Sequence, residues 1–213
     1  MYIDLDLHHG DGVASAFKFT DRVMTFSIHR FEQGFFPGTG KKPLDGAGKG
    51  KGYEINVPTK KGLSDGSFNW VVTNIIIPLI DRFTPKAIVI QCGGDGLCSD
   101  LNFHEWNLTM KGYSSALLSI LNHIRVPTLM VGGGGYNNLE TAKLWCLLTG
   151  QLTKGREECL RWDLLPDSAD YGLIGMDETE FWQRSKGSNM IDRNDRDYLE
   201  SIRSQIIPST PPT

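Results

Sequence analysis

The sequence predicts an α/β domain built on a mainly parallel sheet, and two features of the chain favour this class. Short apolar stretches alternate with longer stretches of helical character along most of the 213 residues. This order is typical of a doubly wound α/β fold. Three of the strand candidates are near-continuous runs of Ile, Val, Leu and Met, which suit parallel strands that helices cover on both faces.

The individual elements follow from this alternation. Five strands are predicted, at Tyr2 to Asp6, Val23 to His29, Tyr53 to Val57, Ala87 to Gln91 and Thr128 to Val131. Five helices are predicted, at Val13 to Phe19, Gly66 to Phe83, Leu108 to His123, Asn137 to Leu152 and Asp195 to Ile206. Pro78 should kink the second helix or cut it short, because proline lacks an N–H and clashes with the preceding turn. Residues 34–52 predict a long ordered loop, and residues 153–194 are irregular.

Length and composition limit the kind of protein. With 39% apolar residues the chain can bury one sizeable core, so we expect one domain over residues 1–207 and a disordered tail at 208–213. The net charge of −3 provides no attraction toward nucleic acid. No long apolar run or signal peptide is visible, so we expect a soluble intracellular protein that does not bind membranes. The four cysteines lack CxxC spacing and predict free thiols.

The first thirteen residues predict a strand that ends in a polar site. Apolar and polar residues alternate with the period of two of a strand, and Gly10-Asp11-Gly12 then signals a turn. The polar positions are Asp4, Asp6 and His8. Unpaired charge of this kind is costly to bury, and a divalent cation, zinc above all, would offset the cost. A strand end held by salt bridges is the simpler alternative.

Three predicted strand ends carry residues that could bind a metal or take part in catalysis. Open α/β sheets place their sites at the carboxyl ends of strands. Asp6 and His8 follow the first strand, Asp95 follows Ala87 to Gln91 after two glycines, and Tyr136 follows Thr128 to Val131 after a run of four glycines. A glycine run can also cradle phosphate, but no Lys-Ser/Thr pair follows this one.

These residues together predict a catalytic metal centre. Asp6, His8 and Asp95 supply three zinc ligands and leave a position open for water and substrate, as catalytic rather than structural zinc sites do. Zinc would polarise a carbonyl and acidify water. Tyr136 could donate a hydrogen bond to the oxyanion that develops on that carbonyl.

With these motifs the chain resembles the zinc-dependent histone deacetylase family, specifically its class I branch. Within that branch, its motifs are most similar to those of the histone deacetylase eight group. The resemblance implies an arginase-like α/β fold with a central parallel sheet. It also implies hydrolysis of acetyl-lysine in histones or other proteins. The matching segments are Asp4 to Val13, Gly34 to Gly40, Gly46 to Gly50, Gln91 to Asp95, Gly132 to Asn137 and Asp197 to Glu200.

The resemblance assigns a role to each matching residue. It makes Asp6, His8 and Asp95 the zinc ligands and Tyr136 the residue that polarises the acetyl carbonyl. Phe36 would be one of two tunnel aromatics, and Gly134 would line the same tunnel. The carboxylates that orient two histidines, one of them the general base, would be Asp4 and Asp11.

Two potassium sites are also implied by the resemblance alone. The inner site would use Asp4, Asp6, His8, Ser27 and Ile28. The outer site would use Phe17, Thr20, Val23 and Tyr53, largely through carbonyl oxygens.

Some features depart from the family pattern. The tandem histidines that supply the base belong before Met1, and the first strand appears without a preceding element to cover it, so an N-terminal truncation is the expectation. Asp4 and Asp11 should then face an exposed half-site, and the chain alone should be inactive. The segment Leu101 to Trp106 is one residue longer than usual.

The other histidines are expected to have structural roles. We expect His9 and His29 to be packed residues, His104 to lie on a variable loop, and His123 to end a helix.

Three functions compete at this stage. The first is a deacetylase of histone tails or other proteins, located in the nucleus and also in the cytoplasm, which acts in a corepressor complex and represses transcription. The second is a deacetylase of polyamines or other small amides, which would need an acidic residue at the rim. The third is an inactive fragment that binds zinc or corepressor partners.

Overall fold

Six strands form one sheet in the order β3-β4-β2-β1-β5-β6. The structure is a computed structural model that describes residues 1–100, 102–163, 180–182 and 187–207; the predicted tail at 208–213 lies outside them. The strands are β1 Tyr2–Asp4, β2 Thr25–Arg30, β3 Leu44–Asp45, β4 Glu54–Thr59, β5 Ile88–Gln91 and β6 Thr128–Val131. All neighbouring pairs are parallel except β3 with β4. The predicted α/β class with a mainly parallel sheet is confirmed.

The helices pack on this sheet. They are α1 Asp11–Phe17, α2 Asp65–Val71, α3 Ile77–Phe83, α4 Met110–His123, α5 Asn138–Thr153, α6 Arg156–Cys159 and α7 Arg196–Ile206. Four of them begin at a side-chain cap that satisfies a free backbone N–H of the first turn; the capping residues are Ser64, Thr109, Asn137 and Asp195. Among the described residues, no helix is both long enough and apolar enough to cross a membrane.

The first strand lies at the centre of the sheet. β1 pairs with β2 on one side and with β5 on the other, and Ile3 and Leu5 are fully buried. The expectation that β1 lacks cover is therefore wrong. It treated the order along the chain as the order in the sheet, whereas β5, almost ninety residues later, supplies the second neighbour.

The last strand is covered less than its apolar sequence predicts. β6 pairs with β5, and no partner follows it on the other side among the described residues. Leu129 is 59% exposed and Val131 is 37% exposed. The side chains of Thr128 and Met130 on the other face are half-buried, so the strand is only partly covered on one face and paired at one edge.

Pro78 changes the second predicted helix without ending it. The helical backbone continues from Asp65 to Phe83, and the turn Val72–Ile76 directly before Pro78 is a π-helix. Because proline removes one N–H and its ring needs room beside the preceding turn, a widened turn accommodates it. The amide of Asn74 donates to the carbonyl of Trp70 at 2.8 Å.

Three short elements were not predicted. They are β3, a 3₁₀ turn at Gly48–Gly50, and α6. β3 is two residues long and antiparallel to β4, so it leaves no periodic signal in the sequence of the 34–52 loop. The other segments of that loop are irregular, as expected.

Candidate metal centre

The parallel strands bring their carboxyl ends to one edge of the sheet. Asp6 and His8 follow β1, Asp95 follows β5, and the glycine run that leads to Tyr136 follows β6. Because these three strands are adjacent in the order β1-β5-β6, their loops meet at this edge, as the sequence predicted.

Three of the predicted ligands form one cluster. One oxygen of Asp6, one oxygen of Asp95 and one ring nitrogen of His8 all lie within 4.8 Å of one another. The Nδ1 atom of His8 is 2.9 Å from Oδ2 of Asp95 and 3.3 Å from Oδ1 of Asp6. Asp6 and Asp95 are 6% and 1% exposed, so two carboxylates share a site with little water.

Hydrogen bonds from neighbouring groups fix both carboxylates. Oδ2 of Asp6 accepts from the Gln91 amide at 2.7 Å and from the Gly134 backbone N–H at 2.8 Å. Oδ1 of Asp95 accepts from the Leu7 N–H at 3.0 Å, which leaves its Oδ2 facing His8. Such outer contacts set the direction in which a metal ligand points.

The cluster perturbs the acid–base properties of its members. Burial disfavours the charged form of His8, but the hydrogen bonds and charges of Asp6 and Asp95 outweigh it and raise the pKa of His8 to about 9. Burial, together with the charge of Asp6, raises the pKa of Asp95. Burial alone would also raise the pKa of Asp6, but hydrogen bonds from His8, Gln91 and Gly134 hold it below its usual value. The two carboxylates thus favour a positive charge at this place.

Glycine is required where the loops approach the cluster. A Cβ atom added to Gly134 would lie 2.2 Å from Oδ2 of Asp95 and 3.1 Å from Oδ2 of Asp6. A Cβ atom added to Gly93 would lie 2.2 Å from Oδ2 of Asp6. Both glycines therefore let the backbone contact the carboxylates directly.

This arrangement fits a zinc ion. Two carboxylates and one imidazole nitrogen are a donor set that zinc accepts, and a three-ligand set leaves a coordination position open. The negative charges of the two carboxylates stabilise a cation beside His8. A bound metal ion would take the place of a proton there. Asp6, His8 and Asp95 are the described residues that could hold the ion.

Tyr136 stands next to the cluster on a fixed backbone. Its N–H donates to Oδ2 of Asp100 at 2.6 Å, and the following Asn137 N–H donates to the same oxygen at 3.3 Å. Asn137 also caps α5 through Glu140 N–H. The Tyr136 side chain is 52% exposed. Burial and the negative charges of Asp95, Asp6 and Asp100 raise the pKa of its hydroxyl, so the group keeps its proton at neutral pH.

Aromatic rings surround His8. Phe35 stacks on the imidazole with the two ring centroids 5.5 Å apart. Phe36 and Phe103 meet it at steep angles, with centroid distances of 5.9 and 4.6 Å. Phe103 also contacts the Tyr136 ring at 5.1 Å. Phe36, predicted as a tunnel aromatic, is 74% exposed and so lies at the outer end of this group.

Asp4 and Asp11 have different surroundings. Asp4 is 3% exposed, and its Oδ2 accepts from the Tyr2 hydroxyl at 2.6 Å. Asp11 is exposed at the start of α1. The expectation that both acids face an exposed half-site is therefore wrong for Asp4, because Tyr2 and the turn at Gly10 cover it.

The residues of the two expected potassium sites are placed as follows. Asp4 and Ser27 are register partners in β1 and β2, and Ser27 and Ile28 are buried. The turns that carry the outer set are adjacent, since Thr25 N–H donates to the Tyr53 carbonyl at 2.9 Å and Ala47 N–H donates to the Lys18 carbonyl at 2.8 Å. In the same region Thr20 N–H donates to the Phe17 carbonyl at 3.1 Å, and Val23 directly precedes Met24 and β2.

The remaining histidines make contacts outside the metal cluster. His9 is buried with its Nδ1 2.7 Å from the Thr39 hydroxyl. His29 lies inside β2 with both ring nitrogens bonded, one to Ser27 and one to the Gly40 carbonyl. His123 ends α4 and pairs with Asp81 at 2.7 Å, and His104 is on an exposed loop. These placements agree with the predictions.

Sequence reasoning missed three residues of the site. Gln91 and Asp100 act by holding Asp6 and Tyr136, and Phe103 packs on His8. Gln91 ends an otherwise apolar strand, which is a signal that could have identified it. Asp100 and Phe103 lie in an irregular loop, where the sequence carries no periodicity that shows which way a side chain points.

Comparison with known proteins bears on the same residues. The histone deacetylase domain matches residues 1–152, which include the whole metal cluster and Tyr136. Histone deacetylase 9 of Arabidopsis thaliana is 39% identical over 97% of this chain, RPD3 of Saccharomyces cerevisiae is 38% identical over 97%, and histone deacetylase 8 of Danio rerio is 39% identical over 97%. These alignments cover 46%, 45% and 52% of the relatives, so the chain spans about half their length. The predicted family is confirmed: the chain belongs to the histone deacetylase family.

Proposed function

We propose that this chain forms part of an enzyme that removes acetyl groups from lysine in histones or other proteins, with zinc as its cofactor. The observation that carries the proposal is the cluster of Asp6, His8 and Asp95, with Tyr136 linked to His8 through the Phe103 ring. Relatives that are 38–39% identical to this chain over the 206–209 aligned residues are named histone deacetylases. We therefore assign to this site the substrate class that the names of these relatives give.

The reaction needs a polarised carbonyl, and the residues of the site suit that task. Zinc held by the cluster would polarise the amide and acidify water. The protonated Tyr136 hydroxyl donates a hydrogen bond to the carbonyl oxygen as negative charge develops on it. Asp100 stabilises the backbone conformation that aims Tyr136. The backbone at Gly134 contacts both carboxylates directly, and its N–H holds Asp6 in place.

The aromatic residues suit the aliphatic part of lysine. Phe36 is 74% exposed and contacts His8, so an alkyl chain that reaches the cluster passes this ring. Burying four methylenes against aromatic surface is favourable at roughly 0.8 kcal/mol each. Phe36 and Gly134 therefore bind the lysine chain and guide its amide to the cluster.

Asp4 and Asp11 are proposed to orient the general base. The family resemblance gives that base to a pair of histidines, and a carboxylate that accepts from an imidazole N–H fixes its tautomer and direction. Asp11 is exposed and free to accept such a bond. Asp4 accepts a hydrogen bond from the Tyr2 hydroxyl and would support the base from the buried end of β1.

Two potassium ions are proposed as further cofactors. Asp4, Asp6, His8, Ser27 and Ile28 would form the inner site, supported by the pairing of Asp4 with Ser27 across β1 and β2. The outer site would use Phe17, Thr20, Val23 and Tyr53, supported by the adjacency of their two turns. Oxygen donors of this kind suit hard cations.

The partners and location follow from the substrate. Histone tails are basic, and the net charge of −3 favours them over nucleic acid. We propose a nuclear enzyme, also present in the cytoplasm, that works in a corepressor complex and represses transcription.

The test is acetate release from an acetyl-lysine histone peptide. The zinc-loaded chain is assayed together with the N-terminal half of an intact relative, which supplies the base. We expect release that stops when a chelator removes zinc, returns when zinc is added, and is lost in Asp95→Asn. Release from acetylated polyamines but not from the peptide would reject the proposed substrate, and binding of zinc without any release would reject the enzyme.

A further inference from the structure

Trp145 connects two loops at the carboxyl edge of the sheet. It lies on α5, and its indole Nε1–H donates to the Cys92 carbonyl at 2.8 Å. Its ring also lies against the glycine run, because a Cβ atom added to Gly132 would be 2.9 Å from Cζ2 of Trp145 and 3.0 Å from its Cη2. One side chain thus contacts the loop that follows β5 and the loop that follows β6.

These two loops carry and hold the metal-ligand candidates. Cys92 stands three residues before Asp95. It directly follows Gln91, whose amide donates to Oδ2 of Asp6 at 2.7 Å. The loop after β6 includes Gly134, whose N–H donates to the same Asp6 oxygen at 2.8 Å. Both of these hydrogen bonds therefore come from the residues that the two loops present to the cluster.

The Cys92 carbonyl lies where the pairing of the strands stops. β5 and β6 are in register up to Gln91 and Val131, and the Cys92 N–H still donates to the Val131 carbonyl at 2.9 Å. The Cys92 carbonyl accepts from the indole of Trp145. Since buried backbone carbonyls need a partner, the indole satisfies an acceptor that lies beyond the last strand pair. It thereby fixes the direction in which the chain turns toward Asp95.

A second side chain of α5 fits against the same loops. A Cβ atom added to Gly94 would lie 3.3 Å from Oγ1 of Thr141, and one added to Gly135 would lie 2.4 Å from the same atom. Trp145 is one turn further along the helix, and it remains 37% exposed. Because the ring is partly open to solvent, core packing alone does not explain its place at the edge of the sheet.

We propose that Trp145 is a positioning residue of the metal centre, which sets the direction of the loop that carries Asp95 and, through both loops, holds Asp6. This inference rests on the proposed function, because the positioned side chains are the ligands of the proposed zinc ion. Trp145 acts through the backbone of Cys92 and Gly132 rather than as a ligand. Removing a group that orients metal ligands typically lowers metal affinity by about 10- to 100-fold.

The test is the zinc affinity of Trp145→Phe, which keeps an aromatic ring and removes the indole N–H. Zinc binding to the 213-residue chain is measured by competition with a chromophoric chelator. Cobalt(II) is then bound in place of zinc, because its visible absorption bands report the geometry of the ligands. We expect the dissociation constant for zinc to rise by about 10- to 100-fold and the cobalt bands to change in position and intensity. Urea unfolding of the zinc-free chain measures stability separately.

Two further variants complete the design. Trp70→Phe is the matched control, since Trp70 is also half-buried but lies on α2 against the Arg196 guanidinium; it should keep the wild-type affinity and spectrum. Gly132→Ala keeps the indole N–H but places a Cβ atom against the Trp145 ring. It should also weaken zinc binding, and it takes the place of Trp145→Phe if that variant fails to fold.

The outcomes separate this inference from the proposed function. A wild-type zinc affinity in Trp145→Phe, or in Gly132→Ala where it takes that place, would overturn the inference. Weaker binding with an unchanged cobalt spectrum, or equal weakening in Trp70→Phe, would overturn it too, because Trp145 would then act only through the stability of the chain. Each of these results would leave the zinc site standing. A wild-type chain that retains no zinc would reject the zinc site and the inference together.

Discussion

Gly134 is the residue at which the backbone comes nearest to both carboxylates of the metal cluster. Its backbone does not adopt a left-handed conformation, so only the lack of space excludes a side chain. We expect Gly134→Ala to lose most bound zinc, because the new Cβ would displace Oδ2 of Asp95. The measurement is zinc content after dialysis. Gly12→Ala is the matched control, since a Cβ there meets nothing within 4 Å; equal zinc retention in both variants would refute the prediction.

Tyr136 should matter for the transition state more than for binding. Losing one oxyanion donor typically lowers turnover about 100-fold or more. We therefore expect Tyr136→Phe to reduce acetate release by that factor, measured with the N-terminal half of an intact relative present. Acetohydroxamate affinity should stay within about threefold of wild type, because the zinc ligands are untouched. Near-normal release would remove Tyr136 from the mechanism.

The sequence predicted the candidate ligands but not the residues that hold them. Asp6, His8 and Asp95 could be predicted because each interrupts or ends an apolar strand, where a charged side chain needs a reason. The role of Asp100 depends on two loops meeting across the sheet edge. No local pattern encodes that meeting.

At the scale of single elements, β2 contains a buried histidine that makes stability depend on pH. Burial, helped by the nearby His9, lowers the pKa of His29 from 6.5 to about 3. The unfolded chain therefore binds a proton at His29 below about pH 6.5, while the folded chain stays neutral there until about pH 3. This difference reduces stability as the pH falls through that window, by up to roughly 1.4 kcal/mol per pH unit.

The measurement is urea unfolding of the zinc-free chain between pH 4.5 and 7.5. We expect the free energy of unfolding to fall with pH below about 6.5 and to fall less steeply in His29→Gln. Glutamine can still donate to the Gly40 carbonyl, which accepts from His29 at present. Parallel pH curves for the two proteins would show that His29 does not contribute.

The elements were predictable where a pattern ran long enough. α4 and α7 were predicted to within two residues because they begin at the caps Thr109 and Asp195 and keep one apolar face. The strand β3 was missed because two residues have no period. Pro78 was expected to kink its helix or cut it short, but the π-helical turn before it accommodates the missing N–H, an adjustment that depends on packing rather than on composition.

For the molecule as a whole, the order of strands was the main feature that the sequence did not reveal. Alternation predicted a parallel sheet, yet it did not show that β1 lies between β2 and β5. The expectation of an uncovered first strand failed for this reason. The exposed residues Leu129 and Val131 show that an apolar run alone does not report how much of a strand is covered.

The 213-residue chain should turn over slowly by itself even when it binds zinc. Amide hydrolysis needs a base in contact with the reacting water, and a positioned base typically contributes at least about 100-fold. In the described part of the chain, the contacts of His9, His29 and His123 are with residues outside the cluster. We expect acetate release at least about 100-fold below that of an intact relative, measured on one acetyl-lysine peptide. Full activity of the isolated chain would make His9 the first candidate base.

The central claim is that Asp6, His8 and Asp95 hold one zinc ion, and elemental analysis of the dialysed protein tests it most directly. The wild-type chain should retain one zinc per molecule, and both Asp95→Asn and His8→Ala should lose it, because each removes a ligand from a set of three. The exposed pair of His123 and Asp81 provides the matched controls His123→Ala and Asp81→Asn, which should retain zinc. Stoichiometric zinc in both ligand variants would contradict the account.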